Sequence, residues 1–107
     1  MSDWASLHCT PLAGQPPLSE AEVRAHLPSL PGWSLAIGAL ERSYRFADFH
    51  RTMAFVNAVA WIAHREDHHP DVSFGYDRCT LRYRTHSVDG VSPNDFICAA
   101  KVDALSP

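Results

Sequence analysis

The chain has 107 residues, 46% of them hydrophobic and 20% charged, which fits one ordinary globular domain rather than a disordered or fibrous segment. Asp and Glu outnumber Lys and Arg by 12 to 9, a net charge of −3, so the chain carries no electrostatic footprint for nucleic-acid phosphates. No apolar run approaches the roughly 20 residues of a membrane span, no basic segment leads into an apolar signal core, and the three cysteines form no C-x-x-C pair. These features exclude membrane spans, disulfide frameworks and thiolate zinc sites, and predict a cytoplasmic location with reduced thiols, Cys79 and Cys98 serving as core filler.

Residues 1–17 contain Pro11, Gly14, Pro16 and Pro17 without apolar periodicity, which predicts a poorly ordered lead-in to a single domain over 18–107. Ser19 stands three residues before Glu22, a capping-box spacing, and opens a short helix over about 19–27 that Pro28 and Pro31-Gly32 end. Trp33–Ile37 and Leu40–Phe46 read as two strands of a hairpin turning at Gly38. Asp48 is the expected N-cap of a long helix over 48–67, with Phe49, Met53, Val56, Ala60 and Ala63 along its main apolar stripe and Phe55, Val59 and Ile62 widening it. Pro70 disfavours helical geometry at His69, so this helix stops by His68 or His69.

Val72–Tyr76 and Arg78–Thr85 supply a second strand pair, the latter alternating Cys79, Leu81, Tyr83 with Thr80, Arg82, Arg84. One apolar and one polar face is what a sheet covered on one side demands, and it makes the arginines a solvated strand face, with a substrate-anchoring role for Arg84 as the alternative. Gly90 turns the chain, Ser92 or a neighbour caps, and Asp95–Leu105 form a last helix. The order α-β-β-α-β-β-α predicts an α+β fold: a four-stranded antiparallel sheet with three helices on one face.

The chemistry is concentrated in the second half, in His64-x3-His68-His69-Pro70, Tyr76, Thr85-His86 and Asp95. Imidazole is the side chain whose ordinary pKa of about 6.5 suits proton exchange near neutral pH. His64 and His68, four apart, share a helical face, while His69 is rotated about a third of a turn and sits where the helix ends. Such a set also admits a zinc site, although the order His64-Arg65-Glu66-Asp67-His68 puts the Glu one place later than His-Glu-x-x-His requires. Asp95 fits either an orienting carboxylate or a cap for the last helix. Trp33 and Tyr76 read as core aromatics rather than stacking partners, and Trp61, off the main stripe, fits a subunit contact.

The intervals of His64-x3-His68-His69-Pro70-x5-Tyr76-x9-His86-x8-Asp95 resemble the signature of the pterin-4a-carbinolamine dehydratases. The resemblance extends to Pro31-Gly32-Trp33, to Tyr44-Arg45-Phe46-Ala47-Asp48-Phe49 and to Gly90-Val91-Ser92-x2-Asp95-Phe96, covering about residues 18–105. It implies the fold above and a hydro-lyase that converts 4a-hydroxytetrahydropterin to quinonoid dihydropterin, recycling the pterin of aromatic amino-acid hydroxylation. It further implies His68, His69 and His86 as catalytic acid and base groups, and Asp67, His68, His69, Arg84, Thr85, His86 and Ser87 as pterin contacts. His64, Pro70 and Asp95 become supporting residues. The substrate's own N5 lone pair can expel the hydroxyl, so no metal or organic cofactor is implied. A homodimer or homotetramer is implied too, with no nucleic-acid or membrane partner. The rival from another class is a dimerising regulatory module, as some relatives also serve as transcriptional coactivators. Two positions depart from the pattern: His64 stands where many relatives carry an acidic residue, and Ser87 where some do.

Overall fold

The computed structural model describes residues 3–105. The elements are α1 (Glu20–His26), β1 (Ser34–Ala36), β2 (Ala39–Arg45), α2 (Phe49–Glu66), β3 (Asp71–Phe74), β4 (Arg78–Tyr83) and α3 (Pro93–Asp103). The strands form one antiparallel sheet in the order β1-β2-β4-β3, and the α+β expectation holds.

Local chemistry sets the boundaries. The Ser19 hydroxyl accepts from the Glu22 N–H while the Glu22 carboxylate accepts from the Ser19 N–H, a closed capping box for α1. The Asp48 side chain accepts from the Arg51 N–H and opens α2. At its far end Asp67 turns left-handed, with φ 51°, and the His68 N–H donates to the Ala63 carbonyl at 3.1 Å. The β1–β2 hairpin is closed by Ile37 and Gly38, both at positive φ, as a two-residue turn of matching twist requires.

Register sorts the sheet into two faces. Leu40 opposite Tyr83, Arg42 opposite Leu81 and Tyr44 opposite Cys79 lie on one face. Apart from the arginine, all of these are buried against the helices. The other face is polar: Arg82 pairs with Glu41 at 2.6 Å, and Ser43 and Thr80 share a hydrogen bond of 2.7 Å. α3 is the central helix, burying Phe96, Cys98, Ala99 and Val102 completely. Its last turn is bound to the sheet through Asp103, which accepts from Tyr44 Oη at 2.8 Å, Trp33 Nε1 at 3.0 Å and Arg42 Nη1 at 3.2 Å.

Three expectations are corrected. The buried stripe of α2 is Thr52, Phe55 and Val59, whereas Phe49 and Ala60 are exposed. Thr52 takes the central place because its hydroxyl reaches the carbonyls of Asp48 and Tyr76 at 3.0 and 2.9 Å, so a polar residue is buried at no unsatisfied cost. Tyr76 is not core: it is 65% exposed in the loop before β4. Of the segment over 1–17, expected to be poorly ordered, residues 1–2 lie outside the described residues, and Trp4, Ala5, Cys9 and Thr10 pack along α3. Trp4 stacks on Phe96 with centroids 5.3 Å apart, its indole N–H donates to Ser29 Oγ at 3.1 Å, and the Ala5 carbonyl accepts from Lys101 Nζ at 2.8 Å. Trp33 is buried and Trp61 exposed, and Cys79 and Cys98 are fully buried in the core. No described helix is long and apolar enough to cross a membrane.

Candidate active site

The C-terminal end of α2, the turn after β4 and the first turn of α3 meet around His68. Its side chain is 12% exposed, and Nε2 lies 2.6 Å from Oδ1 of Asp95, which is fully buried. The other carboxylate oxygen, Oδ2, accepts from the Thr85 hydroxyl at 2.8 Å and from the Ser92 N–H at 2.9 Å. Ser92 Oγ lies 2.6 Å from Thr85 Oγ1 and accepts from the Asn94 N–H at 3.2 Å. Asp95 is thus both the cap of α3 and the partner of an imidazole, one group carrying the two roles that its position in sequence left as alternatives. Because the carboxylate can only accept, His68 carries its proton on Nε2 and leaves Nδ1 for other use. The ring plane is set from the side by Tyr83, near-parallel at 15° with centroids 6.0 Å apart.

Position explains how each residue arrives. Pro70 is buried and ends the helical path, and the left-handed Asp67 swings the chain so that His68 faces inward while His69 stays exposed. After β4 the chain makes a 3-10 turn at His86–Val88, closed by the bridge between Thr85 and Gly90. This turn buries Thr85 and exposes His86 and Ser87. Arg84 pairs with Asp89, and its Nη1 lies 3.3 Å from His86 Nδ1. An arginine can only donate, so His86 Nδ1 accepts and the neutral ring holds its proton on Nε2.

A hollow of about 230 Å³ opens beside this cluster, lined by Asp67, His68, Thr85, Ser87, Glu66 and Asn94 and by the N-terminal residues Cys9, Thr10, Pro11 and Leu12. Of the residues expected at the site, Asp67, His68, Thr85 and Ser87 line it directly. His86 and His69 do not line it, although each is next in sequence to a residue that does, and Arg84 steadies His86. His64 does not join: it is exposed one turn back on α2, beside Trp61 with ring centroids 5.9 Å apart. A helix turn of separation accounts for this, since the left-handed break falls between the two histidines. Among the described residues, no group of three His, Cys, Asp or Glu side chains is placed to hold a metal ion.

Three contributors were not foreseen from sequence: the N-terminal segment, Glu66 and Asn94. Glu66, only 5% exposed at its side chain, accepts from the Cys9 N–H at 2.8 Å and from His8 Nδ1 at 2.9 Å, with Lys101 Nζ at 3.8 Å. Burial works to raise this carboxyl, but the Cys9 N–H, the His8 ring and the Lys101 ammonium outweigh it and hold it below the ordinary carboxyl range. The Asn94 amide joins the Thr10 backbone in both directions, accepting its N–H at 3.1 Å and donating to its carbonyl at 2.8 Å. Cys9 Sγ lies 3.5 Å from Cys98 Sγ. The pattern Ser92-x-x-Asp95 was the one local signal for this half of the site, and it left Asp95 as a cap or an orienting carboxylate.

The family described as Pterin 4 alpha carbinolamine dehydratase matches residues 16–105. A protein of Xanthomonas campestris pv. campestris strain 8004, named as a pterin-4-alpha-carbinolamine dehydratase, is 58% identical over 101 residues, covering 92% of this chain and 86% of its own. One of Nitrosospira multiformis with the same name is 48% identical over 106 residues, covering 98% and 94%. Among solved structures, a transcriptional coactivator/pterin dehydratase from Brucella melitensis superposes with a TM-score of 0.80 at 33% identity, covering 85% of this chain and 99% of that one.

Proposed function

The chain belongs to the pterin 4 alpha carbinolamine dehydratase family, and from that premise we propose that it is a hydro-lyase that dehydrates 4a-hydroxytetrahydropterin to quinonoid dihydropterin by histidine acid and base catalysis. The observation that carries the mechanism is the His68–Asp95 pair at the wall of the hollow. In the reaction the N5 lone pair forms the C4a–N5 double bond, the C4a–O bond breaks, and the N5 proton and the departing hydroxyl leave as water. Two groups help: an acceptor for the N5 proton and a donor for the oxygen. Positioned groups of this kind contribute about 10²- to 10⁴-fold.

The two tautomers inferred for the site are complementary. His68, with Nε2–H committed to Asp95, offers Nδ1 as the acceptor, and the buried carboxylate is placed to balance the positive charge that the proton brings. His86, with Nδ1 occupied by Arg84, offers Nε2–H as the donor to the leaving oxygen. His69 is a second donor or an orienting group. The Ser87 backbone and the Asp67 side chain, both lining the hollow, are the groups to meet the amide-like edge of the pterin, while Thr85, bonded through its backbone to Gly90 and through its hydroxyl to Asp95, supports them. No metal or organic cofactor is called for, because the substrate supplies the electron pair.

The same reading includes a cytoplasmic homodimer or homotetramer recycling the pterin of aromatic amino-acid hydroxylation. Free thiols at Cys9, Cys79 and Cys98 support the compartment. The edge strand β3, with Val72 41% and Phe74 44% exposed, supports assembly, since an open edge of this kind is usually covered. The test is to generate the carbinolamine in situ and follow quinonoid formation. Acceleration over buffer by wild type is expected; a wild-type rate equal to buffer would end the enzymatic reading.

A further inference from the structure

One wall of the hollow lies far in sequence from every residue of the histidine signature. We infer that Cys9–Leu12 form a substrate-contacting strap of the site, and that Asn94 and Glu66 are positioning residues that hold it there. The inference rests on the dehydratase reading for its substrate class, a flat reduced pterin.

Two independent clasps hold the strap. Asn94, buried at 7% exposure, grips both backbone groups of Thr10, and Glu66 takes the N–H of Cys9. Each clasp is next to a site group in sequence. Asn94 precedes Asp95, the partner of His68, and Glu66 stands two residues before His68 itself. The first turn of α3 therefore fixes the imidazole with one residue and the strap with its neighbour, so strap and base cannot shift independently. Backbone clasps of this kind specify position rather than side-chain identity, which leaves Thr10, Pro11 and Leu12 free to meet a ligand.

The chemistry of the two walls is complementary to a pterin. Asp67 and Ser87 offer polar groups to the heterocycle's amide edge, and Pro11 and Leu12 offer apolar surface to its face. Contacts to parts of the substrate that do not react bind ground state and transition state alike, so weakening them raises KM and leaves kcat in place.

The experiment compares wild type with Pro11→Ala/Leu12→Ala, both at the surface of the strap, and with Asn94→Ala and Asn94→Asp. It reads kcat, KM and the pH profile of dehydration, the equilibrium Kd for 7,8-dihydropterin, and hydrogen exchange of residues 3–12. In the double variant and in Asn94→Ala, KM and Kd should each rise about tenfold, equivalent to about 1.4 kcal/mol, with kcat and the pH profile unmoved. Exchange of 3–12 should quicken in Asn94→Ala only. Asn94→Asp, which keeps the acceptor for the Thr10 N–H, should recover part of the affinity. Unchanged KM and Kd in the double variant would overturn the inference, as would a fall in kcat at constant KM. Should wild type bind the dihydropterin without speeding dehydration, the reaction assignment falls while the Kd comparison still decides the strap. A wild type that does not bind the probe overturns both.

Discussion

His68 lines the hollow and His86 stands between two residues that line it, and the protein holds the two in unlike ways. His68 is nearly buried, with one nitrogen on a fully buried carboxylate and its ring against Tyr83. His86 is exposed on a short 3-10 turn, with Arg84 as its side-chain partner. A group fixed through a buried network is preorganised and keeps one tautomer. A group on an exposed turn can move toward a ligand and away again. Under the proposed mechanism the residue that must wait in place, the proton acceptor, is the one on the rigid side, and the donor to the departing hydroxyl is the one on the exposed side.

The largest expected effect is that of His68→Ala, a fall in kcat of about 10²- to 10⁴-fold. It should also cost about 1–3 kcal/mol of stability by leaving the buried Asp95 oxygen without its donor. His86→Ala should lower kcat as well, yet leave stability within about 0.5 kcal/mol, as surface substitutions do. Paired kinetics and urea melts check both, and equal destabilisation by the two variants would erase the contrast.

Asp95→Asn sharpens it. Both carboxylate oxygens accept hydrogen bonds in the native site, so an amide nitrogen at either place meets a donor. If it faces His68, the imidazole must offer Nε2 as acceptor and move its proton to Nδ1, the nitrogen assigned to the substrate. Turnover should then fall about a hundredfold with KM little changed. The loss of stability should be about 1–3 kcal/mol. Nitrogen-15 spectra of the His68 ring would show the exchanged tautomer, and a native tautomer with a native rate would remove Asp95 from the mechanism.

The Glu66 clasp gives the rigid side a pH signature. Its folded-state pKa is depressed, so in acid the unfolded chain takes up the proton first. The stabilisation is present above the ordinary carboxyl value of about 4.3 and is lost as pH falls through the lower folded value. The stability difference between wild type and Glu66→Gln should therefore shrink as denaturant melts are taken from about pH 6 to pH 3. A constant difference would mean that the carboxylate charge does not hold the strap.

Much of the frame was legible before any coordinates, because local chemistry decides it. Ser19 with Glu22, Asp48, Pro70 and the alternation of Cys79, Leu81 and Tyr83 each act within a few residues of themselves, and each element they announced is present. The stripe of α2 was displaced because Thr52 is buried by a bond to the Tyr76 carbonyl, 24 residues away, which no periodicity reveals. Tyr76 reads as core by residue type, whereas its loop leaves it in solvent. Of the hollow's lining, the family resemblance named Asp67, His68, Thr85 and Ser87, and behind them Asp95. The strap was not legible: prolines and absent periodicity describe a segment without secondary structure, and they are silent about a side chain 84 positions away that binds its backbone.

The smallest expected effect concerns the platform beneath His68. Tyr83 is wholly buried, and its hydroxyl has no hydrogen-bond partner among the described residues. Burial, with lesser contributions from Cys98, Tyr44, Asp95 and Cys9, pushes its ionisation far above the ordinary phenol range, so the group stays a neutral, unpaired O–H. An unsatisfied buried hydroxyl costs about 1–3 kcal/mol, whereas the aromatic ring around it earns its place by packing on Trp33 and His68. Tyr83→Phe keeps the ring and removes the unpaired group, so stability should rise by about 1 kcal/mol with turnover unchanged. Thermal melts and the dehydration rate decide it together. A more stable variant with native turnover makes Tyr83 a passive support that holds the rigid histidine by shape. A variant with native stability and lost turnover would give the rigid side a second chemical group, and the contrast with His86 would then be one of composition as well as of mobility.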